Sequence, residues 1–305
     1  MKIAVIGIGG VGGYFGGKLA KGLENSKEHE IYFVARGEHG KQIKEKGLLL
    51  QTAEEGDLIC TPTQVFETVN QLPQIDVCFL CVKQYDLLSC LESLKDKVTE
   101  STILIPLLNG IDIYERIRTV IDMGLVFPAC VYVGTHIAKP GIVRQAGGAC
   151  QIIFGPDKTR TCEKPDLLCK LLEDANIKFQ WTTGHLEKIW EKYLFIASYG
   201  MVTATEQKTL GEVYQETCLR DKTKHIIEEI LSIGKAEGIT FPDGMVQTIL
   251  KKALTFPADT KTSFQRDVEA GKRDERELFI GAMLSLGEKY QLPIEYIREV
   301  AKKLY

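Results

Sequence analysis

The chain has 305 residues, 44% of them hydrophobic and 26% charged, with a formal net charge of −3. That composition is ordinary for a soluble globular protein, and the length suits one large domain or two of usual size. The charge balance gives no electrostatic ground for a nucleic acid or an anionic membrane as partner.

The apolar start MKIAVIGIGG is too short and too rich in glycine to read as a signal peptide, and no stretch approaches about 18 unbroken apolar residues. Nine cysteines are scattered and odd in number, and the five histidines show no ligand spacing. Cys78 and Cys81 form a CxxC inside the apolar run VCFLCV, which reads as strand thiols rather than a redox or metal pair. A reducing cytoplasm is the expected compartment, and no metal is expected.

KIAVIGI reads as a buried strand, VGGYFGGKLAKGL as a helix, EIYFVAR as a second strand and GEHGKQIKEKG as a short helix. A turn or small hairpin is predicted around 47–61. Then come the strand DVCFLCVK, the helix YDLLSCLESL, the strand TILIPLLN, the helix GIDIYERIRTVI and the strand-like LVFPACVYVG. GIVRQ, CQIIFG, the helix PDLLCKLLEDAN and the strand FQWTT complete this half. Such alternation predicts a parallel, doubly wound α/β sheet with helices on both faces. From about Gly184 helical periodicity takes over, at 185–205, 210–237, 242–254, near 274–290 and at 293–304. Gly238, Pro242, Pro257 and Pro293 punctuate it. Two domains are expected, 1–183 and 184–305.

Gly7-Ile8-Gly9-Gly10-Val11-Gly12 is a GxGxxG between a buried strand and a helix. In that setting Gly7 suits a tight turn, Gly9 a close approach of backbone to pyrophosphate, and Gly12 close packing of helix on strand. The diphosphate would meet the helix N-terminus, whose N–H groups and dipole favour negative charge. At the end of the second strand a carboxylate would favour NAD and a base NADP. Arg36 holds that place, with Glu38 as a rival two residues on, and NADPH is the expected cofactor. Lys83, ending the strand VCFLCVK, is either a second group for the phosphate or adenine ribose, or a solvated lysine. Asn109-Gly110 follows ILIPLL and reads as an amide for a nicotinamide or substrate oxygen, or as a plain Asn-Gly turn.

GIGGVGG, Arg36, VK at 82–83, NG at 109–110, THIA at 135–138, WEK at 190–192 and SFQRDVEAGKRDE at 263–275 occur in that order. With them the chain resembles the ketopantoate reductase (2-dehydropantoate 2-reductase) family over essentially its whole length. The resemblance implies a Rossmann-type domain followed by an all-α domain of the 6-phosphogluconate dehydrogenase C-terminal type, with the site in the cleft between them. It implies NADPH-dependent reduction of ketopantoate to pantoate, in pantothenate biosynthesis. Residues 1–183 would bind NADP, through Gly7, Ile8, Gly9, Gly10, Val11, Gly12, Arg36, Lys83, Asn109 and Ala138. Residues 184–305 would supply substrate and catalytic groups.

Within the second half the resemblance makes Lys192 the proton donor and Ser263 the carboxylate-binding serine. Glu275 becomes the glutamate working with cofactor and substrate, while Asn109 of the first half is expected to be a substrate contact. Periodicity alone makes Lys192 a lysine whose stem covers apolar surface; burial against Trp190 and Phe195 would lower its pKa toward the working range. The family's amide-bearing positions hold Ile196, Gly200, Leu210 and Thr260 here. Positions 192, 196, 200 and 203 share one helix face, so one wall of the substrate pocket is altered. The donor and glutamate remain, which leaves three readings: ketopantoate reduction, reduction of a different small 2-keto acid or an imine, and NADPH sensing without turnover. Helical second domains of this kind often pair, which leaves a homodimer open.

Overall fold

Lys2–Ile6 forms β1, and its last four residues are buried. The structure, a computed structural model, describes residues 1–161 and 165–305. These fall into two units, Met1–His185 and Leu186–Tyr305. After β1 the chain runs α1 (Gly10–Gly22), β2 (Glu30–Val34), α2 (Gly37–Lys46), β3 (Leu48–Thr52), β4 (Gly56–Cys60), β5 (Gln64–Phe66), β6 (Val77–Leu80), α3 (Gln84–Leu94) and β7 (Ile103–Pro106). It continues through α4 (Ile113–Arg118), β8 (Leu125–Val126), β9 (Ala129–Tyr132), β10 (Thr135–Lys139), β11 (Ile142–Gln145), β12 (Gln151–Phe154), α5 (Asp166–Asp174) and β13 (Lys178–Trp181).

Six strands make a wholly parallel sheet in the order β5-β2-β1-β6-β7-β8. The order reverses between β1 and β6, the switch point outside which open α/β sheets bind ligands at strand carboxyl ends. The other strands form two smaller sheets, β10-β11-β3-β4 and β13-β12-β9. Helix α1 lies between the first two sheets, and its glycines explain how. A Cβ on Gly16 would meet the Phe33 ring at 3.1 Å and Val5 at 3.2 Å, one on Gly13 would stand 2.6 Å from Val143, and one on Gly17 3.1 Å from Leu50. Each mid-helix glycine costs about 1 kcal/mol against alanine; close packing on both faces outweighs that cost.

The predicted single strand LVFPACVYVG is corrected to two strands in different sheets. Phe127 donates to Leu104 O (3.0 Å), continuing the β8 ladder, whereas Pro128 has no N–H and its carbonyl accepts from Gly155 in the β12 layer. The predicted hairpin at 47–61 is present as the antiparallel pair β3–β4.

The second unit holds all but the first residue of α6 (His185–Glu206), then α7 (Leu210–Gln215), α8 (Thr217–Ala236), α9 (Met245–Lys252), α10 (Ser263–Glu269), α11 (Ala282–Lys289) and α12 (Glu295–Leu304). Tyr193, Leu194, Phe195, Ala197, Tyr199, Met201 and Val202 are all buried, so α6 is apolar around its circumference, the mark of a central helix. Its two tyrosine hydroxyls are satisfied by carbonyls: Tyr193 donates to Leu278 O (2.8 Å) and Tyr199 to Leu250 O (2.7 Å). Tyr193 also reaches Phe279 O, and the chain there makes a π-helical turn, Glu277–Gly281. A hydroxyl inserted at those carbonyls accounts for the widened turn within the helix expected near 274–290.

The expected helix 210–237 breaks at Glu216, which is extended. Arg220 Nη1 takes the Tyr214 carbonyl (2.9 Å) and so ends α7. Among the described residues no helix is long and apolar enough to cross a membrane.

Candidate functional site

The turn after β1 is built by sterics. Gly7 sits at φ +91° and donates to Val34 O (3.1 Å), and a Cβ on it would lie 2.9 Å from the Cys81 backbone. A Cβ on Gly12 would fall 2.1 Å from Gly7 O, so helix and strand meet with no room for a side chain. A Cβ on Gly10 would stand 2.7 Å from Thr135 O at the start of β10. Gly9 is the exception: it caps α1 with no side-chain acceptor, and a Cβ there meets nothing within 4 Å. The open side of Gly9 and the first turn of α1, whose N-cap glycine offers no side-chain cap, form a cradle that fits a dinucleotide's diphosphate. Ile8 is buried in the turn and Val11 half-buried.

Three sequence-predicted groups of the first unit follow strands of the parallel sheet at their carboxyl ends. Arg36 follows β2, Lys83 follows β6 as the residue capping α3, and Asn109 follows β7, next to Gly110 at φ +125°. Ala138 is on β10, at an irregularity in the β10–β11 pairing. Arg36 is exposed and its Nη2 donates to Asp86 Oδ2 at 2.9 Å. Glu38, the rival for ribose, instead accepts from Gln42 of its own helix (2.7 Å).

Cys78 is fully buried on β6, and burial pushes its thiol well above the ordinary range; burial pushes Cys90 up to about 12. Neither offers a thiolate near neutrality. Among the described residues no cluster of His, Cys, Asp and Glu is arranged to hold a metal.

In the second unit Lys192 is half-buried on α6, one residue before the Tyr193 that ties this helix to the turn after Glu275. Glu275 is buried and its carbonyl accepts from Leu278 (2.9 Å) and Phe279 (3.2 Å). Ser263 is exposed at the first position of α10, whose cap is Thr262. Thr262 Oγ1 lies 2.9 Å from Thr203 Oγ1, docking α10 on the α6 face that carries Ile196 and Gly200. Leu210 is buried at the start of α7, and its N–H donates to Thr260 O (2.9 Å). That bond joins two of the altered positions through backbone.

The sequence profile of the ketopantoate reductase PanE/ApbA family matches residues 3–158, and the profile of its C-terminal domain matches 185–304. The chain belongs to the ketopantoate reductase PanE/ApbA family. Its relatives include the uncharacterized oxidoreductase YkpB of Bacillus subtilis, 26% identical over all of this chain and 98% of that protein. They also include the 2-dehydropantoate 2-reductase of Mesorhizobium japonicum, 24% identical over 98% of this chain and 95% of that one. Among solved structures, a PanE/ApbA family ketopantoate reductase from Ralstonia eutropha superposes with a TM-score of 0.87 at 26% identity, covering 98% and 96% of the two chains. The parallel-sheet unit followed by a helical unit is thus the ketopantoate reductase architecture.

Two neighbours of the family's positions escaped sequence reasoning in this ketopantoate reductase homologue. Asp86, the partner of Arg36, is 50 residues away along the chain. Its signal was a carboxylate in the first turn of the helix after Lys83, which tells nothing until β6 is known to lie beside β1. Phe264 is the second: a Cβ on Gly200 would touch its ring at 3.6 Å, so an aromatic residue covers α6 at that point.

Proposed function

We propose that this chain is an NADPH-dependent reductase of small 2-keto acids, with ketopantoate the first candidate, pantoate its product, and pantothenate biosynthesis its setting. The observation that carries this reading is the α1 N-terminus, whose N-cap Gly9 offers no side-chain cap and keeps an open face, in a chain of this family. Residues 1–183 take the role of dinucleotide domain, with Gly7, Ile8, Gly9, Gly10, Val11 and Gly12 at the diphosphate and Arg36 and Lys83 toward the adenosine end. Residues 184–305 supply the substrate and proton chemistry. The dinucleotide, when bound, supplies the hydride that goes to C2 of the keto acid.

As the carbonyl π pair moves onto oxygen, the ammonium of Lys192 stabilises the charge and donates the proton that makes the hydroxyl. Ser263 and Asn109 orient the acid by hydrogen bonds, and Glu275 supports the site. Loss of NADPH absorbance with ketopantoate and a panel of branched 2-keto acids tests the reading. No turnover on any of them would sink it.

A second reading keeps the reaction and changes the substrate to a more apolar 2-keto acid or an imine. The aromatic cover of Phe264 over Gly200, beside Ile196, favours it. Amide groups that meet a substrate hydroxyl reject an analogue lacking it; apolar walls do not. Comparing kcat/KM for ketopantoate with that for an apolar keto acid of similar size separates the two, and a strong preference for ketopantoate removes the second.

A further inference from the structure

Arg36 does not act alone at the end of β2. Its guanidinium meets a carboxylate, Asp86, carried by the first turn of α3 three residues after Lys83. Strands β2 and β6, which lead to these two residues, lie on either side of β1. The ion pair therefore links the loops that flank the glycine turn, at the end where an adenosine ribose belongs in this architecture.

We propose that Asp86 is a specificity-determining residue: it holds Arg36, offsets its charge, and so weakens the preference for a 2′-phosphate over a bare 2′-hydroxyl. This inference rests on the dinucleotide reading above. Asp86 takes one Nη2 bond at 2.9 Å, and the Arg36 side chain is 73% exposed, so the rest of its donor fork faces outward. A 2′-phosphate can reach that fork. It brings about −1.5 to −2 charges beside the Asp86 carboxylate, which repels it. A ribose hydroxyl meets no such opposition and can donate to the same carboxylate, the part an acidic residue plays in NAD sites. Glu38, on α2, accepts from Gln42 of its own helix, whereas Asp86 is the carboxylate that meets Arg36. An exposed ion pair without a ligand role would matter little to either nucleotide.

Calorimetric titration of the full chain with adenosine 2′,5′-bisphosphate and with 5′-AMP tests this without turnover. Asp86→Asn is expected to bind the bisphosphate about tenfold tighter, equivalent to about 1.4 kcal/mol, with a much smaller change for 5′-AMP. Asp86→Ser is expected to give the same gain, because charge rather than shape is responsible. Arg36→Ala should lose the bisphosphate preference with or without Asp86.

If Asp86→Asn and Asp86→Ser bind the bisphosphate no tighter than the natural chain, or if both nucleotides shift together, the inference is overturned while the dinucleotide reading stands. A natural chain that binds neither nucleotide overturns that reading and this inference with it.

Discussion

Lys192 is the residue on which the proposed chemistry turns. Replacing it by alanine removes the ammonium and leaves every residue of the first unit unchanged, so kcat should fall by about 10²–10⁴ while NADPH affinity, read by fluorescence titration, stays near its natural value. Full activity in Lys192→Ala would discard it as donor. A second residue, Asp157, sets acid stability. Burial pushes its carboxyl up, but bonds from the Tyr114 hydroxyl, the Val126 and Thr159 amides and the Arg118 guanidinium outweigh burial and hold it at about 2, against an ordinary 3.8. A depressed folded-state pKa contributes stability that is complete above the ordinary value and lost as pH falls from there through the folded value. Urea unfolding at pH 5 should therefore show the natural chain more stable than Asp157→Asn by about 2 kcal/mol, and the gap should close toward pH 2. A gap independent of pH would contradict the assignment. Of these two residues Lys192 was singled out as a candidate through its motif. Asp157 was not, because its partners lie on α4 and β8 and at Thr159, and only folding brings the more distant ones within 3 Å.

At the scale of elements, helix glycines separate by what surrounds them. Gly200 in α6 has room for a methyl group, its nearest neighbour being the Phe264 ring at 3.6 Å. Gly200→Ala should raise stability by about 0.5–1 kcal/mol, since alanine gains helix propensity at no steric cost. Gly234 in α8 is the opposite case: a Cβ there would stand 2.7 Å from the Phe241 ring, itself packed on Trp190. Gly234→Ala should lower the melting temperature by overpacking, a cost of about 1–3 kcal/mol. Thermal melts of the two variants in parallel check the pair, and equal shifts of either sign would refute it. Propensity alone treats both glycines alike, so the difference is invisible in sequence. The elements themselves were mostly readable, because period-2 and period-3.6 patterns are local. The failures were local in appearance and distant in cause: Pro128 hands the chain from one sheet to another, and the Tyr193 hydroxyl reshapes a turn 85 residues away.

At the scale of the whole molecule, ligand binding and stability are linked. If the first unit holds NADPH, the dinucleotide at a hundred times its Kd stabilises the folded chain by about 2.7 kcal/mol, seen as a rise of several degrees in melting temperature. Added NADPH that leaves the melt unmoved would count against the cofactor reading. The sequence by itself determined the α/β half, the helical half and the glycine turn, because periodicity and backbone sterics act between near neighbours. It also carried enough of the family's motifs for Lys192, Ser263 and Glu275 to be singled out. Only the tertiary structure decided that Arg36 faces Asp86, that Phe264 covers Gly200, and that α1 lies between two sheets. Those facts depend on strand order and helix docking, which bring together side chains that no local pattern relates.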